Sequence, residues 1–428
     1  MKSFYRYLIP SVIASVLLST YALIDGIFIG QKIGDIGLSS INLAWPITSF
    51  IQCIGLALGL SAGIYISYMR GIKEYEKMAK MKLTVIIVIL ILSIIIGIIL
   101  LLSCKQILIL FGAEGQALTY AYDYIKIILL GSSFQMLGSA LLPLLKNSGK
   151  VKTAAIASIS SILTNLVLDY FLIYSLDYDL KGAALASVIA QGVAFLIAIN
   201  AYRGEFHGIS FSKEVFKELF FKALAPFLLN FSYSIIIIIT NALCLHYSSI
   251  EAVASYTLLS YLLYIISAIS TGVSDSIQPL FSYHYALKDI KTNLKMLKKC
   301  LLISFSISVV TSILFYLFRN NLADLYNLSA TSRSLYYDGL IFYLIGFLFV
   351  SFIKVTSSYL YSIDDKIKSN ILILLEPLVL TLLYGIICGE IFGISGIWIS
   401  FLAIQITLFI ISLTLLFLNT KQLKEKIS

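Results

Sequence analysis

Two acidic residues stand inside stretches of the chain that are otherwise apolar. Asp25 lies in YALIDGIFIG and Asp169 in TNLVLDYFLIY. Each has a polar residue four positions earlier, Tyr21 before Asp25 and Asn165 before Asp169. On a helix that spacing puts both members of a pair on one face. A carboxylate beside an amide, where charge is disfavoured, holds a proton near neutral pH or supplies oxygens to a sodium ion. Either event changes the local charge and biases a two-state conformational balance. The same groups can instead contact a cationic substrate. For Asp25 the competing reading is a cap at a helix end, since Gly26 and Gly30 follow it.

Other polar groups in apolar runs are candidates for lining a passage or for hydrogen bonds between helices. They are Gln191, Asn230, Asn241, Asp275 and Gln278. Gly26, Gly272, Pro279 and Pro377 are candidate bending points, because Gly and Pro interrupt a helix most readily. Glu376 precedes Pro377, and Lys354 can reach the interface along its aliphatic stem. His207, His246 and His284 are far apart, and no HExxH, Walker A or dinucleotide fingerprint occurs. The five cysteines are scattered with no CxxC pair, which suits small buried hydrophobes rather than a metal or disulfide framework. The expectation is therefore no enzyme, no cofactor and no structural metal. The coupling ion is a proton, or sodium held at Asp25, Asp169 and Asn165.

The elements that position these residues follow from composition. The chain has 428 residues, 59% of them hydrophobic and 12% charged. Its mean hydropathy is +0.95. So few charges cannot cover a soluble core of this size, which excludes an ordinary soluble enzyme, a disordered chain and a nucleic-acid binder. A helix needs about 20 apolar residues to cross a bilayer. Twelve such stretches are expected, near residues 7–29, 45–69, 83–104, 121–145, 153–175, 183–201, 223–243, 252–281, 300–318, 336–361, 370–388 and 394–418. The eighth, with Gly272 and Pro279, could hide a bend. The start MKSFYRYLIP shows no small-residue cleavage site after its apolar run and reads as a retained first span.

Lysine and arginine fix the expected orientation. The N-terminus and every second loop hold 24 of them, whereas the opposite loops hold five. This asymmetry over short loops places both termini in the cytoplasm, in a multi-pass protein of the plasma membrane. It also gives most of the net charge of +9 a topological origin. Counted along their helices at 1.5 Å per residue, Asp25 and Asp169 fall about 27 and 24 Å from the inner ends. That similar depth predicts a shared polar pocket in the first bundle. The expected organisation is an N-terminal six-helix lobe at 1–201, a cytoplasmic linker at 202–222, a C-terminal six-helix lobe at 223–418 and a tail at 419–428. Similarly placed segments in both halves, NSGKVK and DDKIKS, then KGAALAS and GISGIWIS, suggest an internal repeat. The glycine-rich GLALGLSAG at 55–63 predicts close helix approach.

Four segments together resemble the MATE family (multidrug and toxic compound extrusion), nearer to its bacterial DinF-like and MepA-like branches. They are ALIDGIFIGQKIGDIGLSSINLAWPI at 22–47, GLALGLSAG at 55–63, LLKNSGKVKTAAIASISSILTNLVLDYFLIY at 144–174 and GVSDSIQPLFSYHYALKD at 272–289. The resemblance implies an all-α integral membrane protein with a V-shaped pair of six-helix lobes. It implies export of organic, cationic or amphipathic compounds by alternating access, in exchange for protons or sodium. It also implies that Asp25 and Asp169, with Asn165 beside them, form the N-lobe cation site. The seventh span has no acid and the tenth has only Asp338 near its outer end, unlike branches that couple through the second lobe. The expected partners are a small organic substrate and the lipid bilayer, with no nucleic acid, and the expected functional state is a monomer. The rival readings are a lipid-linked saccharide flippase of the broader superfamily, which would be expected to carry cavity arginines, and a non-transporting scaffold or receptor.

Overall fold

A computed structural model describes residues 24–71, 73–205, 208–209, 213–287, 289–363 and 365–425. Those residues are helical, with no strand among them. The first helix, α1, is described over 24–33. It is followed by α2 (Asp35–Gly71), α3 (Tyr75–Leu110), α4 (Gly115–Leu130), α5 (Ser132–Asn147), α6 (Val151–Asp169) and α7 (Asp179–Ala201). Then come α8 (Lys213–Tyr247), α9 (Ile250–Ala286), α10 (Ile290–Leu317), the short α11 (Arg319–Leu325) and α12 (Ala330–Ser362). The chain ends with α13 (Lys366–Leu375), α14 (Thr381–Phe392) and α15 (Ile394–Glu425). Two π turns interrupt this series, Tyr170–Ser175 after α6 and Glu376–Leu380 between α13 and α14.

Among the described residues ten helical stretches are long and apolar enough to cross a membrane, α6 counted with its π turn and α13 with α14 through theirs. An eleventh span results if α4 and α5 count as one, bent by 64°. The sequence predicts a continuous span there, 121–145. The break falls at Gly131, where an added Cβ would lie 2.4 Å from Val188 of α7. The described residues therefore give ten or eleven spans rather than twelve, and the predicted span at 7–29 lies mostly outside them. The eighth span is one helix, α9, assigned without interruption from Ile250 to Ala286.

The contacts divide the chain into two compact units. One is Ile36–Ile238, and the other joins the described residues up to Asp35 to Ile239–Ser428.

In the 36–238 unit, α3 shows how a uniformly apolar helix is oriented. Val85, Ile89, Ser93, Gly97, Cys104 and Leu108 form its buried stripe, while Ile91, Ile94, Ile95, Ile98 and Leu102 stay exposed. In water that second face would need cover, whereas lipid accepts it. The glycine-rich run of α2 packs on α5. An added Cβ at Gly59 would come within 2.2 Å of the Ala140 carbonyl oxygen, so the backbones touch directly. Small residues gain van der Waals contact that lipid tails do not offer.

In the second unit, α12 packs against α9, α10 and α15. Tyr343 stacks on Phe401 of α15 at 4.0 Å. The hydroxyls of Ser270 and Ser308 both meet Ser351, giving the buried helices polar registers without charge.

A charged cluster ties the chain after α7 back onto α3. Lys82 is only 2% exposed, and its ammonium donates to Glu205 at 2.5 Å. Lys150 donates to the other oxygen of the same carboxylate. Both ammonium groups also lie over the Tyr202 ring, at 4.9 and 5.3 Å. Burial works to raise the Glu205 carboxyl, but the hydrogen bonds and charges of Lys150 and Lys82 outweigh it and hold the group below its ordinary value. Its share of stability is complete above the usual carboxylate range and is lost as pH falls through the lowered value. Glu205→Ala should lower stability by about 2–3 kcal/mol, below the range for a fully buried pair because Glu205 is more than a third exposed. Unfolding of the detergent-purified protein measures this. Lys82→Met in the same background should recover part of the loss, because it removes the stranded charge.

Candidate functional site

The buried face of α6 is Ala154, Ala157, Asn165 and Asp169. The facing helix α7 buries Ala183, Ala186, Ala190 and Ala194. Small side chains on both helices bring them close, and the two polar residues are then sealed between them. Asn165 and Asp169 are each 0% exposed. They are one turn apart on the same stripe, as their spacing predicts. The Asn165 amide reaches Ser187 of α7 at 3.5 Å. Directly after Asp169 the helix widens into its π turn, closed by a bond from the Leu176 N–H to the Phe171 carbonyl. Such turns are frequent at functional sites. An ionised carboxylate in this position is costly unless a proton or cation joins it. The arrangement can therefore hold either ion, with amide and hydroxyl groups at hand.

Asp25 is half-buried on α1, in the unit that contains Ile239–Ser428, whereas Asp169 and Asn165 belong to the 36–238 unit. The glycines that follow it make close backbone contacts. An added Cβ on Gly26 would lie 2.4 Å from the Tyr261 ring, and one on Gly30 would lie 2.4 Å from the Tyr326 carbonyl oxygen. Tyr326 precedes α12 and is buried. That burial, together with Tyr261 and the negative charge of Asp25, pushes its phenol well above the ordinary value.

The end of α1 is then fastened in place. The Gln31 amide donates to the carbonyls of Asp324 and Leu325 at 3.1 and 2.7 Å. The Asp35 carboxylate accepts from the Ser329 N–H at 3.1 Å and the Ser332 hydroxyl at 2.6 Å.

The remaining predicted residues are dispersed. Gln191 packs on α5 so closely that a Cβ at Gly138 would lie 2.3 Å from its amide oxygen. Asn230 is exposed and donates at 2.7 Å to the Pro226 carbonyl one turn back. Asn241 is 1% exposed. Gly272 is buried within α9, and Pro377 lies in the second π turn. Tyr21 and the side chains of Asp275, Gln278 and Pro279 lie outside the described residues.

Sequence reasoning missed other polar contacts. Gln52 of α2 donates to Gln135 of α5 at 2.9 Å, and Ser234 of α8 donates to Ser49 at 2.7 Å. Gln405 of α15 donates to Glu376 at 2.7 Å. Each is a lone polar residue in an apolar run, and its partner is far away in the chain.

A family model described as MatE matches this chain twice, over residues 10–171 and 226–387. The chain belongs to the MatE family. It is a membrane transporter, not an enzyme. Among its MatE relatives, the multidrug export protein MepA of Staphylococcus haemolyticus (strain JCSC1435) is 29% identical over 313 residues, which cover 72% of this chain and 69% of the relative. The protein of the same name from Staphylococcus aureus (strain MSSA476) is 25% identical over 416 residues, covering 92% and 89%. An inward-facing multidrug resistance MATE family transporter of the MOP superfamily has the same fold. Its TM-score is 0.84 at 21% identity, over 95% of this chain and 96% of that one. The MATE multidrug transporter DinF-BH, solved in complex with R6G, matches with a TM-score of 0.74 at 25% identity, over 97% and 95%.

The fastening of α1 gives a test. Asp35→Ala should cost about 1–3 kcal/mol of stability, because two donors lose a charged acceptor. Denaturant unfolding in detergent should show it, with Asp35→Asn losing less.

Proposed function

We propose that this protein exports organic, cationic or amphipathic compounds across the plasma membrane in exchange for protons or sodium ions. As a MatE protein it is a secondary transporter working by alternating access. The observation that carries the exchange reading is the fully buried Asp169, one turn from the buried Asn165 between two alanine-lined helices. A carboxylate there gains much from taking up a cation, and a change in its charge alters the fit of α6 on α7. Asp25 is a second coupling residue in this proposal. It neighbours the close contact of α1 with Tyr261 and Tyr326, so a change in its charge bears directly on how α1 is seated.

Twelve spans in two six-helix lobes, 1–201 and 223–418, complete the proposal, together with both termini in the cytoplasm and a functional monomer. The double family match supports the two lobes. The distribution of basic residues supports the orientation. The names of the MepA and DinF-BH relatives support an organic substrate of the multidrug kind.

Ethidium efflux from reconstituted vesicles, under separately imposed proton and sodium gradients, tests the coupling. Wild type should respond to one gradient, and Asp169→Asn should lose at least about 90% of that response, as expected for removal of a charged intramembrane group that binds the ion. A coupled rate unchanged in the variant would refute the role of Asp169. Cysteine labelling of loop 202–222 should be confined to the cytoplasmic side, and labelling from outside would overturn the orientation.

A further inference from the structure

Helix α13 does not continue smoothly into α14. Pro377 has no N–H to give, and its ring crowds the carbonyl one turn back. The helix widens into the π turn Glu376–Leu380, and the Thr381 hydroxyl donates to the Glu376 carbonyl at 2.8 Å. The Glu376 carboxylate meets α15, where the Gln405 amide donates to it at 2.7 Å. The surrounding packing is apolar. Ile353 of α12, Leu380, and Ile404 and Leu408 of α15 are buried together, with Leu375 and Tyr384 against them.

On α12, Lys354 directly follows Ile353. From α15, Thr407 faces the helix and bonds Tyr384 at 2.9 Å. From α8, Tyr247 donates to Glu390 at 3.0 Å, but that pair is about 21 Å along the helix from Glu376. A hard metal cation takes about six oxygen ligands. Here the carboxylate meets an amide N–H and aliphatic carbon. The described residues contain no group of three or more His, Cys or acidic side chains that could hold a metal. A proton is the ion these surroundings suit.

We propose that Glu376 is a second coupling site, in the 239–428 unit, that takes up one proton, with Gln405 positioning its carboxylate. The inference rests on the chain being an ion-coupled transporter, but not on Asp169 being the residue that couples. The proton passes from water to a carboxylate oxygen and returns to water on release. Uptake of the proton changes the bond that Gln405 makes to the carboxylate, so proton occupancy at Glu376 and the seating of α15 on the π turn are linked.

Infrared difference spectra of the reconstituted full chain, between mildly acidic and mildly alkaline buffer, read the carbonyl band of protonated carboxyl groups. Glu376→Gln should remove one such band, and Asp169→Asn and Asp25→Asn should leave that band in place. Gln405→Leu should change its frequency, because the amide donor is gone. Identical spectra for wild type and Glu376→Gln would overturn the proposal. If that variant does not fold, a Gln405→Leu spectrum that superimposes on wild type would overturn it equally. The Asp169 and Glu376 bands are removed by different variants, so failure of one site is distinguishable from failure of the other.

Discussion

Placing charge in hydrocarbon is expensive, and the arrangement of this chain follows from that cost. Nearly all of its lysines and arginines fall outside the apolar stretches. Inside them the backbone satisfies itself in helices, since lipid supplies no hydrogen bonds. The exceptions are therefore informative. Asp169 is fully buried on α6, one turn from the buried Asn165. Glu376 is held by one amide donor among aliphatic side chains. Lys82 and Glu205 show the other solution, in which a buried ammonium is neutralised by a carboxylate at once.

Small residues and irregular turns make these placements possible. The alanines of α6 and α7 and the glycines of α2 let backbones approach without voids. Both carboxylates adjoin a π turn. A π turn rotates the residues after it relative to those before, so it changes which side chains face a neighbouring helix. At Glu376 the adjacent proline supplies its cause. Asp169 has no proline near it, and its turn is closed instead within Tyr170–Leu176.

Much of the fold was legible from hydropathy alone, because a span is a local property of about 20 consecutive residues. The predicted bounds of α7, α9, α12 and α15 fall within a few residues of the observed helices or inside them, whereas the span predicted at 370–388 is α13 and α14 with a π turn between them. The break at Gly131 was not legible, because it depends on Val188 lying against that glycine. The helical pairing of Asn165 with Asp169 was legible, because four residues of one helix fix a common face. Gln52 with Gln135, and Glu376 with Gln405, were not, because each partner comes from a helix far along the chain.

The sequence by itself determined that this is a helical membrane protein, which stretches are apolar enough to cross, and that a few carboxylates would stand among them. Those properties are set by composition and by spacing within single helices. Tertiary structure decided the neighbours of each carboxylate. It placed Asp169 against α7, seated the α1 segment bearing Asp25 on the turn before α12, and brought Gln405 to Glu376. Such neighbours depend on contacts between residues tens to hundreds of positions apart, and side-chain periodicity along one helix carries no record of the helix it will meet.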